Sequence, residues 1–177
     1  MPCNPIQTVL YPGPLTDAFS RVRTSSPTGL FDVQMEYDLQ PYLWESQLTE
    51  GGTVTHLPNE SSAQMRITAT TGSKVLRQSH THIRYQPGRS QLVLMTGVMG
   101  PIKTGTRQRI GIFNANNGLF FEQDGTNRKV VIRSYATGSV VNEAVNQANW
   151  NLDRLDGTGP SGITLDTSKT QIFVIEF

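Results

Sequence analysis

The sequence predicts an all-β protein: an antiparallel β-sandwich of jelly-roll type with an extended N-terminal arm. Three observations predict it. Some eight short segments rich in β-branched and aromatic residues follow one another between turn clusters. No helical pattern alternates with them, which argues for antiparallel pairing and against parallel βαβ units. Five of the ten prolines fall within residues 1–29, at positions 2, 5, 12, 14 and 27, where they remove amide donors and exclude helix.

Taken in order, residues 1–29 read as the arm. Ile6, Val9, Leu10, Tyr11 and Phe19 are too many apolar residues for a purely solvated linker, so they are the candidate assembly contacts. Residues 30–177 read as one sandwich domain. "FDVQMEYDL" alternates from Phe31 to Leu39 with period 2, the pattern of a half-buried strand. "MRITAT", "KVLRQSHTHIRY", "QLVLMTGV", "RIGIF", "LFFEQ", "KVVIRSY" and "QIFVIEF" supply further strands, with "NANNG" and "DGTN" folding the middle ones into a meander between Ile110 and Tyr135. "VVNEAVNQANW" reads as a short helix. "QIFVIEF" is apolar on both faces, as in a strand covered on both sides, and the domain is expected to continue beyond Phe177 in a longer chain. The expected core comprises Phe31, Val33, Met35, Leu92, Leu94, Ile110, Ile112, Val130, Ile132, Phe173 and Ile175.

Fifteen Lys and Arg against fourteen Asp and Glu leave a formal charge of +1 over 177 residues, so no global field draws nucleic acid. No segment approaches the apolar length of a membrane-spanning helix, and "MPCNPIQTVLYPG" lacks the basic region of a secretory signal. The single cysteine, Cys3, forms no internal disulfide, in keeping with a chain matured in a reducing compartment. A soluble product, made in the cytosol, is expected.

Catalytic patterns are lacking: there is no G-x-S-x-G, C-x-x-C, H-E-x-x-H or Walker loop. "GTGPSG" at 157–162 has the glycines of a phosphate loop but not its lysine. "NWNLDRLDGTGPSGITLD" suggests a calcium loop, yet counting from Asn151 puts Leu155 at position 5 and Gly162 at position 12, where an EF-hand needs an oxygen ligand and a glutamate. His80 and His82 would share one face of a strand, and a threefold axis could gather six imidazoles around an ion; two histidines on a polar face is the plainer alternative. Tyr85 beside Arg84 and Arg89, and Tyr135 beside Arg133, could stack on sugars. Neither cofactor nor metal ligand set is predicted.

Three stretches together carry a resemblance: "TDAFSRVRTSSPTGLFDVQMEYDLQPYLWE" (16–45), "RYQPGRSQLVLMTGVM" (84–99) and "NWNLDRLDGTGPSGITLDTSKTQIFVIEF" (149–177). They resemble recurring blocks of a family of virion structural proteins of tailed bacteriophages, met also in some large DNA viruses. The resemblance implies a non-enzymatic late structural protein, assembled in the host cytoplasm and located in the virion. As a capsid-surface decoration or head-fibre base it would be held to the major capsid protein by its arm, as a homotrimer, with no membrane or specific nucleic-acid partner. A tail or neck component and a carbohydrate-binding host-attachment module are the alternatives. In this frame Asp153, Asp156 and glycines 157, 159 and 162 hold a tight connection launching the last strand, with Trp150 anchoring it.

Overall fold

The computed structural model describes residues 28–85 and 89–177. It is all-β: ten strands and two 3₁₀ turns, every strand pairing antiparallel, with no α-helix among the described residues. Contacts divide the chain into two compact units with a boundary near residue 87, where the sequence reads as one domain over 30–177.

In the unit preceding that boundary, β1 (Trp44–Thr49) pairs with β4 (Lys74–Ser79), and the hairpin of β2 (Thr53–Leu57) and β3 (Ser62–Arg66) is inserted between them. β1 and β2 had no strand signal recognised in the sequence. "FDVQMEYDL" is a correction. Phe31, Val33 and Met35 are half-buried and alternate with exposed neighbours as expected, but among the described residues the segment has no strand partner. Side chains take the place of a ladder: the His56 ring Nε2 lies 2.8 Å from the Met35 carbonyl, and the Arg77 guanidinium donates to the Leu39 carbonyl. The alternation therefore reports burial without pairing. Phe31 meets Trp44 edge-on at 5.8 Å, and Arg77 covers the Trp44 ring at 5.3 Å.

The other unit holds β5 (Leu92–Gly97), β6 (Arg107–Phe113), β7 (Gly118–Asp124), β8 (Asn127–Ser134), β9 (Val141–Asn146) and β10 (Gln171–Glu176). β6 to β9 form a four-stranded meander in sequence order, and β5 pairs with β10. The meander follows from its turns. Asn114 Oδ1 accepts the N–H groups of Asn116 and Asn117, both at 2.8 Å, and Gly125 takes a φ of 55° in the hairpin between Asp124 and Asn127. Between β6 and β7, Gly111 stands opposite Phe120 and Gly118 opposite Phe113. A Cβ on Gly111 would overlap the Phe120 backbone, so this close strand approach requires glycine, and the two phenyl rings pack 4.6 Å apart over the gap.

Two expectations fail here. "VVNEAVNQANW" forms β9 and a 3₁₀ turn, Gln147–Asn149, instead of a helix, because Val141 to Asn146 pair in full with β8. The core is also only partly where expected: Phe31, Val33, Met35, Leu92, Ile110, Ile112, Phe173 and Ile175 are half-buried. Among the described residues Met99, Phe120 and Val131 are the buried hydrophobic ones, at 6%, 1% and 2% exposure, whereas Leu94, Val130 and Ile132 are 63%, 45% and 52% exposed. Period 2 shows which side chains share a face but not which face is covered.

Candidate functional site

The two faces of the meander differ in chemistry. On one, Phe120 lies beneath the guanidinium groups of Arg109 and Arg133, at 5.2 and 5.1 Å. Beside it the nearly buried Glu122 receives Arg109 Nε at 2.6 Å and Lys129 Nζ at 3.1 Å, and Lys129 also reaches Asp124 at 3.2 Å. Burial pushes the Glu122 carboxyl up, but the hydrogen bonds and charges of Arg109 and Lys129 outweigh it and hold it below the usual range. This is a closed ion-pair cluster on a sheet, each charge answered by its cross-strand neighbour.

The opposite face is apolar and leads to the candidate site. Phe121 of β7 packs against Phe173 of β10 at 5.3 Å and against Trp150 edge-on at 6.3 Å. Trp150 is fixed by its Nε1–H, which donates to the Val145 carbonyl at 3.2 Å. These rings, with Leu155, Leu165, Ile172 and Val174, line a cleft of about 220 Å³ beside β10. No strand among the described residues pairs with the cleft strand except β5.

The wall of the cleft is the aspartate-rich segment. Asp153 Oδ1 accepts the Leu155 N–H at 2.7 Å, and Oδ2 accepts the Ser161 N–H at 2.8 Å. Bonds from Ser161 and Leu155 keep this carboxyl below its ordinary range. A Cβ at residue 159 would overlap the Asp153 carboxylate, which is why glycine stands there. Asp156 and Asp166 each close a turn two residues long, with Oδ1 accepting from the hydroxyls of Thr158 and Ser168, both at 2.6 Å. Two strand-like bonds tie the segment's limbs: Leu165 N–H to Leu155 O at 2.8 Å and Gly157 N–H to Ile163 O at 3.0 Å. Gln147 clamps it from outside through Nε2, which donates to the carbonyls of Arg154 and Leu155. The carboxylates thus serve backbone N–H and hydroxyl donors, and the loop they shape presents Leu155 to the cleft.

A buried polar web sets where β10 begins. Thr167 Oγ1–H donates to Gln123 Oε1 at 2.7 Å; Gln123 Nε2 donates to the Gly100 carbonyl at 3.1 Å; and the Thr167 carbonyl accepts the Met99 N–H at 2.9 Å.

The other predicted site residues fare differently. Ile6, Val9, Leu10, Tyr11, Phe19 and Cys3 lie outside the described residues. His80 and His82 lie past the end of β4, both exposed, with His80 Nε2 3.3 Å from the Pro41 carbonyl, so they do not form a strand-borne pair. Arg133 stacks on Phe113 and Phe120 and bonds Asn142, while Tyr135 lies just past the end of β8 and is exposed. Among the described residues no group of three or more His, Cys, Asp and Glu could hold a metal ion. The cleft itself was not foreseen, although Leu152, Leu155, Ile163 and Leu165 are more apolar residues than a solvated loop needs. No family model, curated protein or solved structure matches the chain.

Proposed function

We propose that this chain is a non-enzymatic structural protein of a phage virion, a shell-surface decoration or head-fibre base whose β-sandwich body is held to the shell by residues 1–29. One observation carries the assembly role. Among the described residues twenty large hydrophobic side chains are at least 42% exposed, against three that are buried. Single exposed apolar residues are ordinary, but here they share surfaces: Val130, Ile132, Val141 and Val145 on one face of β8 and β9, and Leu94, Ile172 and Val174 on one face of the β5–β10 pair. Such surfaces suit a subunit that completes its burial against other chains. The three-block resemblance supplies the virion setting, and a homotrimer is the oligomer this reading expects.

The test deletes residues 1–29 and asks whether the protein still enters particles. Loss of incorporation with a soluble, folded body supports anchoring; normal incorporation refutes it. A second reading, host-glycan binding, draws on Tyr37 and Tyr42, residues 82% and 94% exposed and so open to sugar stacking. Retention on a glycan array, abolished by Tyr42→Ala, would favour it.

A further inference from the structure

We infer that two copies of this chain pair through β9: the two β9 strands lie antiparallel about a twofold axis at Ala144 and join two four-stranded meanders into one eight-stranded sheet. The inference goes beyond the virion reading and does not depend on it.

β9 is an open edge. Among the described residues it is the strand whose six residues are all exposed, and its one strand partner is β8. Sheets guard such edges with lysine, proline, a bulge or a covering segment. β9 has none of these: "VNEAVN" contains neither lysine nor proline and pairs with β8 residue for residue, without a bulge. The opposite edge of the meander, β6, carries Arg107 and Arg109 and has six of its seven residues half-buried.

The main-chain groups that face outward follow from the register. Bonded pairs alternate along antiparallel strands, and the N–H and C=O of one residue point to the same side. The Asn114 N–H donates to the Asn117 carbonyl at 2.8 Å, which makes Ile112–Leu119 and Ile110–Phe121 bonded pairs of β6 and β7. Phe121 is thereby turned to β6, and Glu122 to β8 opposite Lys129. Val130 and Ile132 are then turned to β9, where they bond Val145 and Glu143. Asn142, Ala144 and Asn146 are left with their main chain turned outward, and no main-chain bond among the described residues reaches them.

A second copy is the occupant because this edge complements itself. About a twofold axis, outward residues oppose outward residues. Two registers keep five residues of each β9 paired, and the next register on either side keeps three. Centring on Glu143 sets that carboxylate against its own counterpart, in a close pair whose Cα atoms are about 4.5 Å apart, and like charges there are destabilising. Centring on Ala144 sets Ala144 against its counterpart and Asn142 against Asn146 of the other copy. Glu143, the one charged residue of β9, then lies opposite a valine, Val145 of the other copy. This register also makes three bonded pairs where the first makes two, roughly six main-chain bonds at two for each pair. Charge and bonding select the same register.

The test uses the full-length chain. Sedimentation equilibrium should give a dimer, and Ala144→Lys, which sets two ammonium groups face to face on the axis, should weaken it at least tenfold with an unchanged far-ultraviolet spectrum. If that variant misfolds, Ala144→Pro replaces it, since it removes an outward N–H and spares the ladder to β8. A second measurement reads the register. In a Cys3→Ser background, Ala144→Cys carries the single thiol opposite its counterpart, at a Cα separation of about 5.5 Å that a disulfide spans. Mild oxidation should yield a covalent dimer, whereas Asn142→Cys, whose counterpart lies four residues away along the strand, should yield none. A monomer at every concentration overturns the inference, as does equal cross-linking through Ala144→Cys and Asn142→Cys. A trimer that Ala144→Lys leaves intact also overturns it and leaves the virion reading standing. If the dimer forms as expected while deletion of residues 1–29 leaves incorporation normal, only the anchoring reading falls.

Discussion

Asp153 holds Leu155 in a left-handed backbone: its Oδ1 accepts the Leu155 N–H at 2.7 Å, and Leu155 has a φ of 51°. A branched, bulky residue is rarely found there, since its Cβ crowds the following carbonyl at a cost of about 1–2 kcal/mol. The strain is maintained because the same turn directs Leu155 into the cleft. Leu155→Ala and Leu155→Gly should therefore rank opposite to the usual order. Both lose the apolar side chain, but only glycine escapes the strain, so the glycine variant should be the more stable by about 1 kcal/mol in urea unfolding. Alanine above glycine would show that Leu155 is unstrained.

Calcium should leave the protein indifferent. Asp153 and Asp156 already accept Leu155, Ser161 and Thr158 donors, and Leu155 occupies the place where a calcium loop needs an oxygen. Thermal melts in excess calcium and in chelator should superimpose. A stabilisation of about 3 kcal/mol, the linkage at some hundreds of times a dissociation constant, would reinstate the loop as a metal site.

Glu122 should govern the acid limb of stability. Its folded pKa lies below the unfolded value of about 4.3, so its contribution is present above that pH and is lost as pH falls through the folded value. Lys129 is shifted up, first by its bond to Glu122, so its contribution is present below about pH 10.4 and is lost as pH rises through the folded value. Glu122→Gln should cost about 2 kcal/mol at neutral pH, the scale of charge-assisted bonds. It should also flatten the decline below about pH 4 and lessen the alkaline decline that Lys129 contributes. Asp124 remains as a second partner of Lys129, so the alkaline effect should be the smaller. An unchanged acid limb would exclude Glu122 as its source.

What the sequence disclosed and what it concealed have physical reasons. β6, β7, β8 and β10 were legible because Ile110, Phe121, Val130 and Phe173 sit in dense β-branched and aromatic runs between turn residues. β9 was hidden because Glu143, Ala144 and Gln147 favour helix locally, a preference that pairing with β8 overrides. β1 was hidden because "WESQLT" has a strand partner thirty residues on, at Lys74–Ser79, which local composition does not reveal. The aspartate segment was legible as a turn system. That it forms the wall of an apolar cleft was not, since this depends on Phe121 and Phe173 meeting across two sheets.

The buried web at the start of β10 should behave as one coupled unit. Gln123 and Thr167 are 1% and 3% exposed, and the Thr167 hydroxyl is the donor to Gln123 Oε1. Thr167→Val keeps the shape of the side chain but leaves that oxygen buried without its donor, a cost of about 1–3 kcal/mol. Gln123→Leu alone strands the Thr167 hydroxyl and should cost a similar amount. The Gly100 carbonyl retains a donor in that variant, because Gln108 Nε2 also reaches it at 3.3 Å. The double variant removes both partners together, so its loss should fall short of the sum of the singles by at least about 0.5 kcal/mol. The backbone bond from Met99 N–H to the Thr167 carbonyl survives in all three, which keeps β5 and β10 in register and leaves the cleft in place. Urea unfolding of the four proteins measures the coupling. Strict additivity would mean that the hydroxyl and the amide do not depend on each other, and that the register of β10 is fixed by the main chain alone.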